Sequence, residues 1–247
     1  MTIIRTLAAA VTVISITAII ACQPEKSPAV EDPLVAGYRK ATIASVADAM
    51  DQVTGKRGFL AHDMRPRSPG RIAGRATTVY LEPATAENAT PVLSTRLSTK
   101  MIDESKPGDV GVIVIKDGLD VAGIGGLMST AAKAREMSGV IVDGGVRDLA
   151  EIRALGLPVY GRSVVASSTV SRFAGVKYNE PVECAGVWIK PGDIIVGDED
   201  GVVAVPAERA KEVLKRSQDI DEYETKMVPF IKKYKALSKA VQLFNRI

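Results

Sequence analysis

An α/β domain is the fold class this chain predicts, on three observations. Short apolar runs suited to buried strands, residues 110–115 and 139–142, are each followed by a glycine-rich turn and a helix-forming segment. The phrase Lys-Pro-Gly-Asp occurs twice, at 106–109 and 190–193, each time feeding an apolar run, as tight turns into strands do. From Ala207 onward, apolar residues recur at three and four positions (Val213, Ile220, Tyr223, Met227, Ile231, Tyr234, Leu237, Val241, Phe244), which predicts a long terminal helical segment.

In chain order, the first segment differs from the rest. A single early charge, Arg5, precedes an apolar or small-residue run over 7–21. At about 15 residues the run is short for a membrane-spanning helix and suits the apolar core of a signal peptide. It ends in Ile19-Ile20-Ala21-Cys22, similar to a bacterial lipobox, which predicts a leader over 1–21 and lipidation of Cys22. Ile20 is an unusual neighbour there, so an uncleaved anchor and ordinary secretion stay open as alternatives. Residues 22–33, with Pro24, Pro28 and Pro33 among charges, read as a tether, followed by one domain over 34–247. The expected location is the cell envelope, lipid-anchored on the periplasmic side of a bacterial membrane. Gln23 after the cysteine, in place of aspartate, favours the outer membrane.

The formal net charge of +3 leaves no basic excess to suggest nucleic acid. With Cys22 lipidated, Cys184 has no partner for a disulfide. It lies in the alternating run Val-Glu-Cys-Ala-Gly-Val-Trp-Ile and reads as a packed core thiol. His62, the only histidine, sits in a polar loop, so neither a Cys/His metal site nor a serine triad has a basis.

Within the domain, Ile43, Val46, Ala47 and Met50 form one face of a helix over 41–52, with Thr42 as its cap. Residues 77–81 alternate as a strand, 94–104 predict a second helix, and 110–115 a buried strand. A short helix over 127–137, a strand over 139–142, a helix over 149–155 and strands at 158–160, 194–196 and 202–205 follow. Pro229 predicts two terminal helices or a kink near Val228. Their apolar stripe must be covered by another subunit or by the domain's own sheet.

Two glycine turns carry the chemistry. Gly123-Ile124-Gly125-Gly126 opens a helix, and a helix N-terminus with free N–H groups suits a carboxylate, phosphate or enolate oxygen, although the glycines also serve a plain strand-to-helix turn. The second turn, Asp143-Gly144-Gly145-Val146-Arg147-Asp148, lies at the carboxyl end of a strand, where open α/β sheets bind ligands. Arg147 can hold a carbonyl or carboxylate oxygen with paired hydrogen bonds, and Asp148 a hard divalent cation. Asp148 equally suits the N-cap of the helix it precedes, and Arg147 a solvated charge.

These phrases, with Val-Ala-Asp-Ala-Met (46–50), the arginine-proline of Asp-Met-Arg-Pro-Arg (63–67), Arg-Ile-Ala-Gly-Arg-Ala-Thr-Thr-Val (71–79) and Asp-Glu-Asp-Gly-Val-Val-Ala-Val-Pro (198–206), resemble the RraA-like family over roughly residues 34–247. That family holds class II pyruvate aldolases and the regulator of ribonuclease activity. The resemblance implies an α/β/β sandwich with a central mixed, barrel-like sheet, and a trimer or dimer of trimers with its site at a subunit boundary. It further implies Mg²⁺ or Mn²⁺ at Asp148 and a small 2-oxo acid held by the backbone amides of Gly125, Gly126, Leu127 and Met128. Arg147 would stabilise the enolate oxygen. A glutamate from the neighbouring subunit would approach the water on the metal, with Glu224 the candidate and Glu222 second. A solvated helix face is the plain alternative for both. The sequence departs from the family at Gly126, where the aldolases carry the acidic residue that hydrogen-bonds this water.

The expected activity is therefore a metal-dependent lyase that cleaves a 4-hydroxy-2-oxo acid, or decarboxylates oxaloacetate, to pyruvate. The alternative is a weak or inactive binding protein of the envelope. A methyltransferase would need a nucleotide-binding glycine pattern followed by a ribose-binding acid, which Gly123 to Gly126 does not supply.

Overall fold

Apolar residues on both faces of the central strands require cover on both sides, and a closing sheet with helices outside meets that requirement. A computed structural model describes residues 32–244; the leader, Cys22 and the tether up to residue 31 lie outside the described residues. Helices α1 (Pro33–Tyr38) and α2 (Ile43–Thr54) lead into β1 (Arg65–Ser68), β2 (Ile72–Pro83) and α3 (Pro91–Glu104). Then come β3 (Val110–Ile115), β4 (Ala122–Ile124), α4 (Gly126–Ala134), β5 (Gly139–Val146), α5 (Leu149–Leu155) and β6 (Val159–Val164). The last elements are β7 (Phe173–Tyr178), β8 (Val182–Cys184), β9 (Val187–Ile189), β10 (Ile194–Asp198), β11 (Gly201–Val205), α6 (Ala210–Tyr234) and α7 (Leu237–Phe244).

The main sheet runs β1-β6-β5-β3-β2-β10-β11, with β4 added to β5 and β7 to β2. Pairs among β2, β3, β5 and β6 are parallel, and β1, β10 and β11 join antiparallel. Its outer strands approach one another. Arg65 on β1 donates to the carbonyls of Asp200 (2.5 Å) and Glu199 (3.3 Å) beside β11, and Leu60 N–H donates to Val202 O at 2.9 Å. The sheet is thus a nearly closed barrel of mixed strand direction, with a long C-terminal helix outside, as the sequence predicts.

Period two along β3 divides the core. Val112 and Val114 point into the barrel with Ile72, Ile141, Tyr160 and Ile195, while Ile113 and Ile115 point outward under α3, α4 and α5. The β8–β9 hairpin brings Val182, Cys184 and Ile189 into the barrel interior. Cys184 is fully buried, and burial pushes its thiol well above the ordinary value. The single alternating run of the sequence reading is therefore a hairpin, turned at Ala185 and Gly186, both with positive φ. A third cluster joins α1, α2 and α6 to β10 and β11.

Local signals place most boundaries. Thr42 caps α2 by accepting from Ser45 N–H (3.2 Å), worth about 1 kcal/mol. The two Lys-Pro-Gly-Asp turns are built alike, with Asp109 accepting from Lys106 N–H (2.8 Å) and Asp193 from Lys190 N–H (2.7 Å).

Two expectations need correction. Two terminal helices are present as expected, but they are not divided at Pro229; α6 runs through it, and the break comes at Lys235, whose φ of 49° starts the turn into α7. Proline inside a helix removes one backbone hydrogen bond and crowds the carbonyl four residues earlier. Helix α7 then folds back, with the Phe230 and Phe244 rings 5.2 Å apart edge to face. The terminal stripe is also divided. Val213, Ile220 and Met227 are buried, whereas Tyr223, Tyr234 and Leu237 are exposed.

Candidate active site

Strand β5 continues four residues beyond the predicted 142, through the Gly-Gly pair to Val146, because β4 and β6 pair with it there, each with a shift of register. That extension delivers Arg147 and Asp148 beside the start of α4. Arg147 N–H donates to Ile124 O at 3.2 Å, which holds the second turn against the first.

Asp148 precedes α5 but makes no side-chain cap to it. Its backbone lies in the left-handed region (φ 56°, ψ 39°), uncommon for a residue with a side chain. Its carboxylate turns instead to the neighbouring helix, where Oδ2 accepts from Gly126 N–H at 2.9 Å. The positive end of α4 therefore faces an anionic side chain, a favourable alignment. Arg147 Nε is 3.6 Å from the same Oδ2.

The glycines at this turn leave room for side chains that reach close to the backbone. An alanine Cβ at Gly125 would sit 2.6 Å from Asp148 Oδ2 and 3.1 Å from Arg147 Nε. Gly125 is extended (φ −149°), so alanine is compatible with the backbone and the collision is with the site alone. Gly125→Ala is expected to leave Tm within about 4 °C of the parent while moving Asp148 and Arg147 and lowering turnover about 100-fold. A thermal melt beside an activity assay checks both, and equal activity would show that these positions are not critical.

A cavity of about 270 Å³ opens here, lined by residues 123–128, Arg147, Asp148, a row of hydroxyls on α3 (Ser94, Thr95, Ser98, Thr99) and residues 168–170. The cavity brings together all the predicted substrate-binding and metal residues. Gly126 N–H is taken by Asp148, and the N–H groups of Leu127 and Met128 in the first turn of α4 precede the helix's own ladder. The α3 hydroxyls are an addition; their recurrence at i, i+1, i+4 and i+5 was the available signal. Glu151, in the first turn of α5, lies beside Gly126 without lining the cavity.

Glu224 and Glu222 are exposed on α6, which packs on α1 and α2, away from the elements that build this cavity. Glu222 pairs with Lys226 one turn on. The single chain brings neither glutamate to Asp148.

Among the described residues no three Asp, Glu, His or Cys side chains converge to hold a metal. The donor set fits a hard cation of another type, since Mg²⁺ is commonly held by one or two carboxylates with waters and substrate oxygens. Asp148 Oδ1 has no partner among the described residues, and the carboxylate stands at the cavity mouth, 37% exposed. A larger cavity of about 840 Å³ lies elsewhere, between Arg57, Lys116, Arg162 and Trp188. Size alone favours it, but Arg162 is engaged by Asp63 and Asp143, and Lys116 by Glu82. The smaller cavity, with a carboxylate carried on a left-handed backbone position and a helix N-terminus, is the better candidate.

The family described as RraA-like, Aldolase/RraA, matches residues 43–204, more than half of the chain. The chain belongs to the RraA-like family. A Halalkalibacterium halodurans relative, provisionally named 4-hydroxy-4-methyl-2-oxoglutarate aldolase, is 30% identical over 189 residues, which span 76% of this chain and 83% of that one. Among solved structures, an uncharacterized protein from Pseudomonas syringae pv. tomato superposes with a TM-score of 0.77 at 26% identity, covering 90% of this chain and 99% of that one. Streptomyces coelicolor RraAS2, described as an unusual member of the RNase ES inhibitor RraA protein family, superposes with a TM-score of 0.69 at 25% identity, covering 79% and 96%. This RraA-like chain thus has relatives named for an aldolase and for a ribonuclease inhibitor.

Proposed function

We propose that the chain is a divalent-metal-dependent lyase of the class II pyruvate aldolase type, acting on a 4-hydroxy-2-oxo acid or oxaloacetate. The single observation that carries this reading is Asp148, held in a strained conformation with its carboxylate at the cavity mouth beside Arg147 and the α4 N-terminus. Mg²⁺ or Mn²⁺ at Asp148 would supply Lewis-acid polarisation of the 2-oxo group. The amides of Leu127 and Met128 would receive the substrate carboxylate at the positive end of α4. In the cleavage the C4 hydroxyl loses its proton, the C3–C4 bond breaks and C4 becomes a carbonyl. The electron pair passes to the C2 oxygen as an enolate, and protonation at C3 then gives pyruvate. Arg147 would hold the C2 oxygen as its charge grows, an interaction worth several kcal/mol when preorganised.

In a homotrimer or a dimer of trimers, Glu224 from a neighbouring copy, with Glu222 second, would complete the site as an acid or base. The Cys22 region supports an envelope protein tethered to the membrane. The second reading, an RraA-like binding protein of the envelope with little or no activity, is favoured by one observation: position 126 carries glycine and not an acid.

Pyruvate release from 4-hydroxy-4-methyl-2-oxoglutarate and from oxaloacetate is the test. Release is expected with Mn²⁺, to fall at least about 100-fold after chelation, and to return when metal is added back. A metal-binding protein that releases no pyruvate from either would act on another oxo acid. A protein that neither binds metal nor releases pyruvate would be the binding protein of the second reading.

A further inference from the structure

Charge is segregated along this chain. Residues 226–247 hold six basic side chains (Lys226, Lys232, Lys233, Lys235, Lys239 and Arg246) and no Asp or Glu, so their side chains carry +6. The formal net charge of the whole is +3, which leaves 3 − 6 = −3 for residues 1–225. Lys226 pairs with Glu222, whereas Lys232, Lys233, Lys235 and Lys239 are exposed and have no acidic partner among the described residues. Lys233 and Lys239 instead place their ammonium groups 5.4 and 5.6 Å from the centre of the Tyr234 ring.

Apolar side chains stand among these cations. Helix α7 turns one face to α6, where Ala240 is buried and Phe244 meets Phe230. Leu237 is nevertheless 50% exposed and Leu243 61%, and Val228 and Tyr234 are exposed beside them. A solvated polar face has no use for two leucines. Leucine, valine and tyrosine framed by lysines are the composition of a helix that lies in a lipid headgroup layer, where apolar groups enter the acyl boundary and ammonium groups stay at the phosphates. A nucleic acid would match the charge but not the exposed leucines, and a second copy would bring its own lysines against these. The first described helix, α1, belongs to the same layer as α6, with Tyr38 Oη donating to Ala210 O at 2.7 Å.

We propose that residues 226–244 of α6 and α7 form a docking surface for an anionic lipid bilayer. Leu237 and Leu243 enter the acyl boundary, and Lys232, Lys233, Lys235 and Lys239 meet the headgroup phosphates. The net negative remainder of the chain is repelled by the same bilayer, which turns the α6–α7 end toward lipid. Docking of this kind goes beyond the lyase reading and is independent of the reaction at Asp148.

Vesicle co-sedimentation of Glu31–Ile247 is the test. That stretch is a compact unit with its own buried clusters, and the apolar run over 7–21 would bind lipid unaided. At about 50 mM salt the parent is expected to bind vesicles of phosphatidylglycerol and phosphatidylcholine in equal parts at least about 100-fold more strongly than phosphatidylcholine alone. Most of this preference should vanish at about 500 mM salt. Replacing the four lysines together (Lys232→Gln, Lys233→Gln, Lys235→Gln, Lys239→Gln) should weaken binding to the mixed vesicles about 100-fold. The pair Leu237→Ser and Leu243→Ser should weaken it about tenfold at either salt, and both variants should keep the parental Tm because every changed side chain is exposed. Equal binding of the two vesicle types by the parent, or parental binding by either variant, would overturn the docking surface. A parent that ignores vesicles but binds heparin through the four lysines would assign the surface to an acidic macromolecule. A parent that ignores vesicles and whose sedimenting mass falls in the leucine variant would assign it to a second copy, and both results overturn the lipid proposal.

Discussion

Asp148→Asn is expected to lower metal-dependent pyruvate release by about 10³-fold while leaving the fold intact. Asparagine tolerates the left-handed backbone at φ 56°, and its side-chain oxygen still accepts from Gly126 N–H, so the contact between α4 and α5 survives. Only the charge is lost. A cation's contribution of several kcal/mol to the barrier corresponds to about three powers of ten. Arg147→Lys should behave differently. It keeps a positive charge near Asp148 but removes the planar donor fork, so Mn²⁺ binding persists while kcat falls about 100-fold. Metal titration and kcat, measured on both variants, separate the roles. If Asp148→Asn retains Mn²⁺ and parental kcat, Asp148 is only a brace between two helices.

Arg162→Met is expected to destabilise the folded chain by about 3 kcal/mol, a fall in Tm of roughly 6–12 °C. Arg162 on β6 donates through Nε to both oxygens of Asp63 at 3.0 Å and through Nη1 to Asp143 Oδ1 at 2.9 Å. Asp143 Oδ2 in turn accepts from Ala185 N–H at 2.6 Å, which ties the β8–β9 hairpin to the barrel. Methionine has similar length but strands two carboxylates, one of them only 15% exposed, without a counter-charge. The loss should depend on pH. The Arg162 hydrogen bond holds Asp63 below the ordinary carboxylate range, so the parent's advantage is fully present above the unfolded value. That advantage is lost as pH falls through the lower folded value. The stability gap between parent and variant should therefore be steady near neutrality and narrow below about pH 4. Denaturant unfolding at pH 7 and pH 3 checks this, and an unchanged gap would remove the ion triad as its cause.

Local chemistry explains why much of the fold was legible. The residues 110–115 form a strand with those bounds, and 149–155 a helix ended by Gly156 at φ 63°. Apolar period and a glycine C-cap are properties of neighbouring residues. Where the reading stopped short, a distant partner intervened. Strand β2 extends from Ile72 to Pro83, beyond the predicted 77–81, because β10 pairs with one part and β3 and β7 with the rest. Residues 143–146 read as a turn because glycines are weak strand formers, yet β4 and β6 recruit them. The terminal helix broke after Tyr234 where α7 turns back to pack on it, a choice that Pro229 did not control.

The candidate site divides the same way. Arg147, Asp148 and the glycines could be singled out by residue type and by position after a buried strand. Taken alone, the sequence determined the alternation of strands and helices, the turn residues, the lone buried thiol and the presence of an acid and an arginine at a strand's carboxyl end. The tertiary structure decided which helix Asp148 serves, that Glu151 fills the space at Gly126, and that the sheet nearly closes on itself. These depend on the register of β4 against β5 and on the approach of α5 to α4, and such distances are set by packing between segments far apart in the chain, on which the periodicity of any one segment is silent.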